Sequence, residues 1–129
     1  MPPTENLQRV PQVALDRLLH QGLFTTGLFL EVSETRTRRM YLADQTGVDI
    51  TDINAWRDEA LMLNLANFGP EEQRILTQAG IVGLDDLTAC EPGEFHDKVV
   101  EAAYTLGLET PTDLTIQGWY DQAQTLVEG

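Results

Sequence analysis

Two stretches of the chain spell nearly the same line. Ile53-Asn54-Ala55-Trp56-Arg57-Asp58-Glu59-Ala60-Leu61-Met62-Leu63 returns as Ile116-Gln117-Gly118-Trp119-Tyr120-Asp121-Gln122-Ala123-Gln124-Thr125-Leu126. Ile, Trp, Asp, Ala and Leu coincide in place, and these are the only two Trp of the 129 residues. Upstream of each copy stands a second shared line, Leu18-x-x-x-Gly22-Leu23 and Leu76-x-x-x-Gly80-Ile81. Self-similarity of this kind constrains the fold more than any composition does, because the same faces must be buried twice.

The spacing within the lines is helical. Ile53, Trp56, Ala60 and Leu63 follow the i, i+3, i+7, i+10 pattern of a buried stripe, and Ile116, Trp119, Ala123 and Leu126 repeat it. Both Trp read as core anchors, since a large ring beside Ile, Ala and Leu fits burial better than display. A first helix opens near Pro11, where a missing N–H costs nothing, and ends at Gly22 in a left-handed cap. Thr25 to Val32 makes a second helix, although Leu28-Phe29-Leu30-Glu31-Val32 is open to a strand reading. Ser33 reads as the N-cap of a third helix from Glu34 to about Gln45, stopped by Gly47. Asp49 or Thr51 caps a fourth.

The second half follows the same plan. Gly69-Pro70 opens a helix with Glu71 and Glu72 in its positive first turn. Gly83 to Ala89 is a short helix. Pro92 opens a longer one with Phe95, Val99, Ala102, Ala103 and Leu106 as its apolar stripe, and Thr112 or Asp113 starts the last. The expected fold is all-α, with about eight helices in two pseudo-repeated sets of four. Residues 1–6 are expected as a flexible N-terminus, 7–63 as the first unit and 64–129 as the second, packed as one compact domain.

The Leu-x-x-x-Gly-apolar lines resemble the end of a helix-hairpin-helix motif. The second copy adds Leu65-x-Asn67-Phe68-Gly69 and Gln73 upstream, and the first adds Leu7-x-Arg9-Val10-Pro11 and Leu15. With Thr46-Gly47-Val48-x-Ile50 leading into Trp56, nearly the whole chain resembles an uncharacterised family, a domain of unknown function with tandem helix-hairpin-helix-like units associated with photosynthetic prokaryotes. The resemblance implies a fold and no reaction. A helix-hairpin-helix holds a DNA backbone through hairpin amides beside a positive helix end. Here Arg9, Pro11 and Asn67 stand where glycines would, Pro11 and Pro70 lack a donor, and Glu71 and Glu72 occupy the phosphate's place. The scaffold is kept and the phosphate grip is lost, which argues against nucleic acid as a partner.

Charge agrees. The formal net charge is −13, with nine acids and six Arg in residues 1–62 but twelve acids against Arg74 and Lys98 in residues 63–129. Such a field repels phosphate polymers and anionic lipid and favours basic surfaces. The local exception is Arg36, Arg38 and Arg39. Their plainest role is ion pairing with nearby acids such as Glu34, and their functional reading is a partner-binding helix, since the planar guanidinium binds carboxylate or phosphate bidentately.

Cys90 is the single cysteine, so no internal disulfide forms and a reducing compartment is expected. Cys90 and His96 with Glu94 and Asp97 lack the spacing and the second thiol of a zinc site. Asp85-Asp86 through Asp97 lacks the ligand order of an EF-hand. Neither a glycine-rich phosphate loop nor a Ser-His-Asp set is legible. No apolar run reaches the roughly 18 residues of a membrane span, and the first residues lack a signal peptide's pattern. The reading is therefore a cytoplasmic, non-enzymatic protein–protein interaction or adaptor module without cofactor or metal, monomer or homodimer, with a protein partner of basic character. The alternatives are a nucleic-acid-binding module using the Arg36–Arg39 helix and an accessory subunit of an enzyme complex.

Overall fold

Leu-x-x-x-Gly-apolar is the spelling of a helix end. In the computed structural model, which describes residues 2–128, Gly22 and Gly80 take φ of 84° and 81°. In the first line, Gly22 N–H donates to Leu19 C=O and Leu23 N–H reaches back to Leu18 C=O, at 2.9 and 3.1 Å. In the second, Gly80 donates to Thr77 and Ile81 to Leu76, at 3.0 and 2.8 Å. These are Schellman caps, which leave the helix-end carbonyls satisfied. They fix why Leu and the residue after Gly must be apolar: Leu18 and Leu76 are fully buried and Leu23 and Ile81 nearly so.

Eight α-helices and no strand form among the described residues, apart from one isolated bridge between Pro3 and Thr25. The helices are α1 (Gln12–His20), α2 (Thr26–Val32), α3 (Arg36–Thr46), α4 (Ile50–Leu63), α5 (Pro70–Gln78), α6 (Leu84–Thr88), α7 (Pro92–Leu106) and α8 (Asp113–Glu128). They divide between Asn64 and Leu65 into two compact units of four helices each.

In the first unit α4 packs against α2 and α3, and α1 against α3. Leu18, Phe29, Ile53, Trp56 and Ala60 form its centre. Full burial of one such aliphatic side chain is worth about 1.5–3 kcal/mol. Of the expected loose N-terminus 1–6, residue 1 lies outside the described residues, and residues 2–6 are bonded into this unit. Thr4 Oγ1 donates to Leu23 C=O at 2.6 Å, and Thr26 N–H donates to Pro2 C=O. In the second unit α7 packs against α5 and α8, and α6 against α8. Leu76, Leu84, Phe95, Val99, Ile116 and Trp119 are its core. Leu126, expected on the α8 stripe, is 36% exposed, two residues from the helix end.

The third helix starts later than its sequence suggests. Thr35, not Ser33, is its N-cap, accepting from Arg38 N–H at 3.1 Å. Ser33 closes α2 instead and donates its hydroxyl back to Phe29 C=O. A serine can satisfy either a starting or an ending helix; here burial decides, because Ser33 is fully buried and the following turn is exposed. The segment Leu28–Val32 is helical, which settles the strand alternative.

Candidate functional site

The tips that precede α1 and α5 carry the residues compared above with a phosphate-binding hairpin. In the first unit Gln8 N–H and Arg9 N–H both point at the carboxylate of Glu59, at 2.5 Å to Oε2 and 2.9 Å to Oε1. Glu59 lies on α4 with no exposed surface. Burial pushes its carboxyl above the ordinary range, while the Gln8 and Arg9 amides and the Arg9 charge pull it down. The Arg9 guanidinium also spans to Ala55 C=O at 3.1 Å and Asp58 at 3.4 Å. The chain's own carboxylate occupies both amides.

The second tip is closed differently. Ala66 N–H donates to Gln122 Oε1 at 3.1 Å, and Gly69 N–H donates to Glu72 Oε1 at 2.8 Å. Glu72 thus reaches back from the third position of α5 to its N-cap residue, half of a capping box. Asn67 is the one non-glycine with positive φ among the described residues, at 60°. Its short amide tolerates the left-handed turn the hairpin needs. Trp119 Nε1 donates to Ala66 C=O at 2.8 Å, and Phe68 meets the Trp119 ring edge-on at 5.5 Å. A hollow of about 260 Å³ beside this tip is lined by Asn67, Glu71, Glu72, Glu109, Thr115 and Trp119 among others. Its carboxylates are the wrong sign for a nucleic-acid backbone.

The arginine segment divides into tied and untied members. Arg38 donates to Glu31 C=O at 3.1 Å, and Arg39 donates to the carbonyls of Ser33 and Glu34 at 3.1 and 3.2 Å. Arg57 of α4 joins them, donating to Leu30 C=O at 2.9 Å and to Ser33 Oγ at 2.7 Å. These cations stand at the negative C-terminal end of α2, a favourable place for them. The expected pairing of the segment with the Glu34 carboxylate does not form; Arg39 takes its backbone carbonyl. Burial and the neighbouring Arg39 charge lower the Arg57 pKa, and Glu34 raises it. The Arg39 Nε is buried without a hydrogen-bond partner. Arg36 is exposed, and its side chain makes no hydrogen bond or ion pair among the described residues. Arg57 escaped the sequence reading because its position inside the Trp56 line marks it as helix surface, and nothing local says that α2 ends beneath it.

His96 and Cys90 do not come together as a metal set; no group of three potential ligands exists among the described residues. His96 on α7 bonds Asp113 at the start of α8 through Nε2 at 2.8 Å, and Asp97 through Nδ1 at 3.3 Å. The bonds to Asp113 and then Asp97 raise its pKa. Cys90 is buried, with the Lys98 ammonium 3.8 Å from its sulfur. No helix among the described residues is long and apolar enough to cross a membrane.

A family model described as "Domain of unknown function (DUF4332)" matches residues 8–126. Neither the search of curated proteins nor that of solved structures returns a match.

Proposed function

We propose that this chain, which belongs to that domain family of unknown function, is a non-enzymatic protein-interaction module on a degenerate tandem helix-hairpin-helix scaffold. The observation that carries the reading is the Glu59 carboxylate on the amides of Gln8 and Arg9. A tip whose donors already hold a carboxylate has nothing left for a phosphate, and displacing that carboxylate would strand a buried charge. Gln122 and Glu72 do the same service in the second unit. What remains is a pair of helical surfaces, the second carrying twelve acids against two bases. A surface of that sign steers basic protein surfaces toward it, with an on-rate that falls as salt rises. An accessory role in an enzyme complex is one form of the same reading.

The competing class is a nucleic-acid module using Arg36, Arg38 and Arg39. Two of these three already spend donors on carbonyls at the end of α2, which weighs against it. The test is affinity capture from the native host at low salt, paired with gel retardation by DNA and RNA. The proposal expects a stoichiometric protein partner released by salt, and no retardation. Retardation at low salt that disappears in an Arg36/Arg38/Arg39→Ala variant would replace it with the nucleic-acid reading.

A further inference from the structure

The face of α3 turned away from the first unit's core combines features that ordinary surface helices keep apart. Met40 is 55% exposed and Tyr41 65% exposed, successive in the chain's one arginine-rich helix and so about a quarter turn apart on its outer face. Leu42, Ala43 and Thr46 face inward, so Arg36, Thr37, Met40 and Tyr41 are left outside. Arg36 lies one turn before Met40 (i, i+4), which puts the two on one strip. Behind that strip Arg39 and Arg57 are fixed by carbonyls of Leu30, Ser33 and Glu34. None of Arg36, Arg38, Arg39 and Arg57 reaches a carboxylate within ion-pair distance among the described residues. In a chain of net charge −13 with 21 acids, four arginines that make no close ion pair are conspicuous, although the Glu34 charge still acts on Arg57. Arg, Tyr and Met are the residue types enriched at the centres of protein interfaces.

We infer that this strip of α3 docks an acidic, partly apolar peptide segment of a protein partner, with Arg36 taking a carboxylate and Met40 and Tyr41 covering an apolar side chain next to it. The inference rests on the protein-interaction reading and gives it a surface and a ligand chemistry. It shifts the weight of the segment from Arg38 and Arg39, which are tied down, to Arg36 with its two apolar neighbours. Charge selects a peptide over a nucleic acid. A peptide can set a carboxylate beside an apolar side chain, and so meet Arg36 and its apolar neighbours together. A polyphosphate chain must run on past Asp44, which is exposed one turn beyond Met40, and into the field of the remaining acids. The apolar pair has no role in phosphate contact but a direct one beside an apolar side chain.

The experiment follows backbone amide shifts of the isotopically labelled full chain in low salt. The probe is a 12-residue peptide of Glu-Leu-Glu-Glu repeated three times. Controls are the same peptide with Gln for Glu, and an oligothymidylate of matching length. Shifts are expected along Arg36–Gln45 with the acidic peptide, and affinity should fall at least fivefold in each of Arg36→Glu and Met40→Ala. Both sites are at the surface, so these variants keep the fold. Four outcomes overturn the inference: no binding of the acidic peptide, equal binding of the Gln peptide, tighter binding of oligothymidylate to the same amides, or α3 shifts that grow with protein concentration alone and so name a second copy as the occupant. A partner captured from the host that binds both variants unchanged would leave the interaction module standing and remove this surface from it.

Discussion

At the scale of single residues, Glu59 decides most. It is a carboxylate with no exposed surface whose two oxygens serve two backbone donors. Replacing it with Leu keeps the bulk and removes both acceptors. The Gln8 and Arg9 amides should then exchange with solvent at least tenfold faster, the equivalent of about 1.4 kcal/mol and within the usual cost of an orphaned donor. Hydrogen exchange read by NMR checks this, and unchanged protection of the two amides would mean that something else holds the tip. Glu59 also carries a pH signature. Because burial raises its folded-state pKa, its contribution to stability is present below the unfolded value of about 4.3. It is lost as pH rises through the raised folded value. Urea denaturation across that window should show this loss in the native chain and not in Glu59→Leu. The sequence held a clue to Glu59 that went unread. It occupies the same place in the first repeated line that Gln122 occupies in the second, and both turn out to accept from tip amides. Composition counted Glu59 as one more surface acid, because pattern alone does not say which acid of a helix faces a neighbouring turn.

At the scale of elements, the helix ends were the most legible part of the chain. Gly22, Gly47, Gly80 and Gly107 all take positive φ and close helices, as their place after an apolar stripe predicts. Gly22→Ala and Gly80→Ala should each cost about 1–2 kcal/mol, since a Cβ in the left-handed region is strained. The positions are otherwise open, with nothing within 4 Å of the new atom. Gly118 supplies the control. It is helical, and an added Cβ there also meets nothing, so Gly118→Ala should stabilise α8 by about 0.5–1 kcal/mol. Thermal or chemical melts of the three variants should diverge in sign; a common sign would show that cap geometry is not what the glycines provide. What stayed illegible was the α2–α3 junction, where Ser33 and Thr35 are both competent caps and only the tertiary burial of Ser33 chose between them. Side-chain ties between helices were equally hidden. His96 bonding Asp113 joins α7 to α8, and with its pKa raised by that bond the joint is strongest below the unfolded histidine range and weakens as pH rises through the folded value. Imidazole resonances of the native chain and of Asp113→Asn should titrate apart, with the variant lower; coincident curves would deny the contact.

At the scale of the whole molecule, the sequence carries two instructions, and the coordinates are consistent with both. One is where the helices run, and eight of them form as the periodicity requires. The other is sign. Most of the excess negative charge lies in the second unit, while Arg38, Arg39 and Arg57 gather at the junction of α2, α3 and α4 in the first. In the proposed reading, the acidic second unit and the closed tips favour a protein partner over a phosphate backbone. The most direct measurement is a low-salt titration of the labelled chain with duplex DNA and separately with inorganic phosphate, following the amides of Gln8, Arg9, Ala66 and Gly69. The closed-tip account predicts that all four stay where they are. Saturable shifts at those amides would show that the carboxylates of Glu59 and Glu72 yield to a phosphate after all.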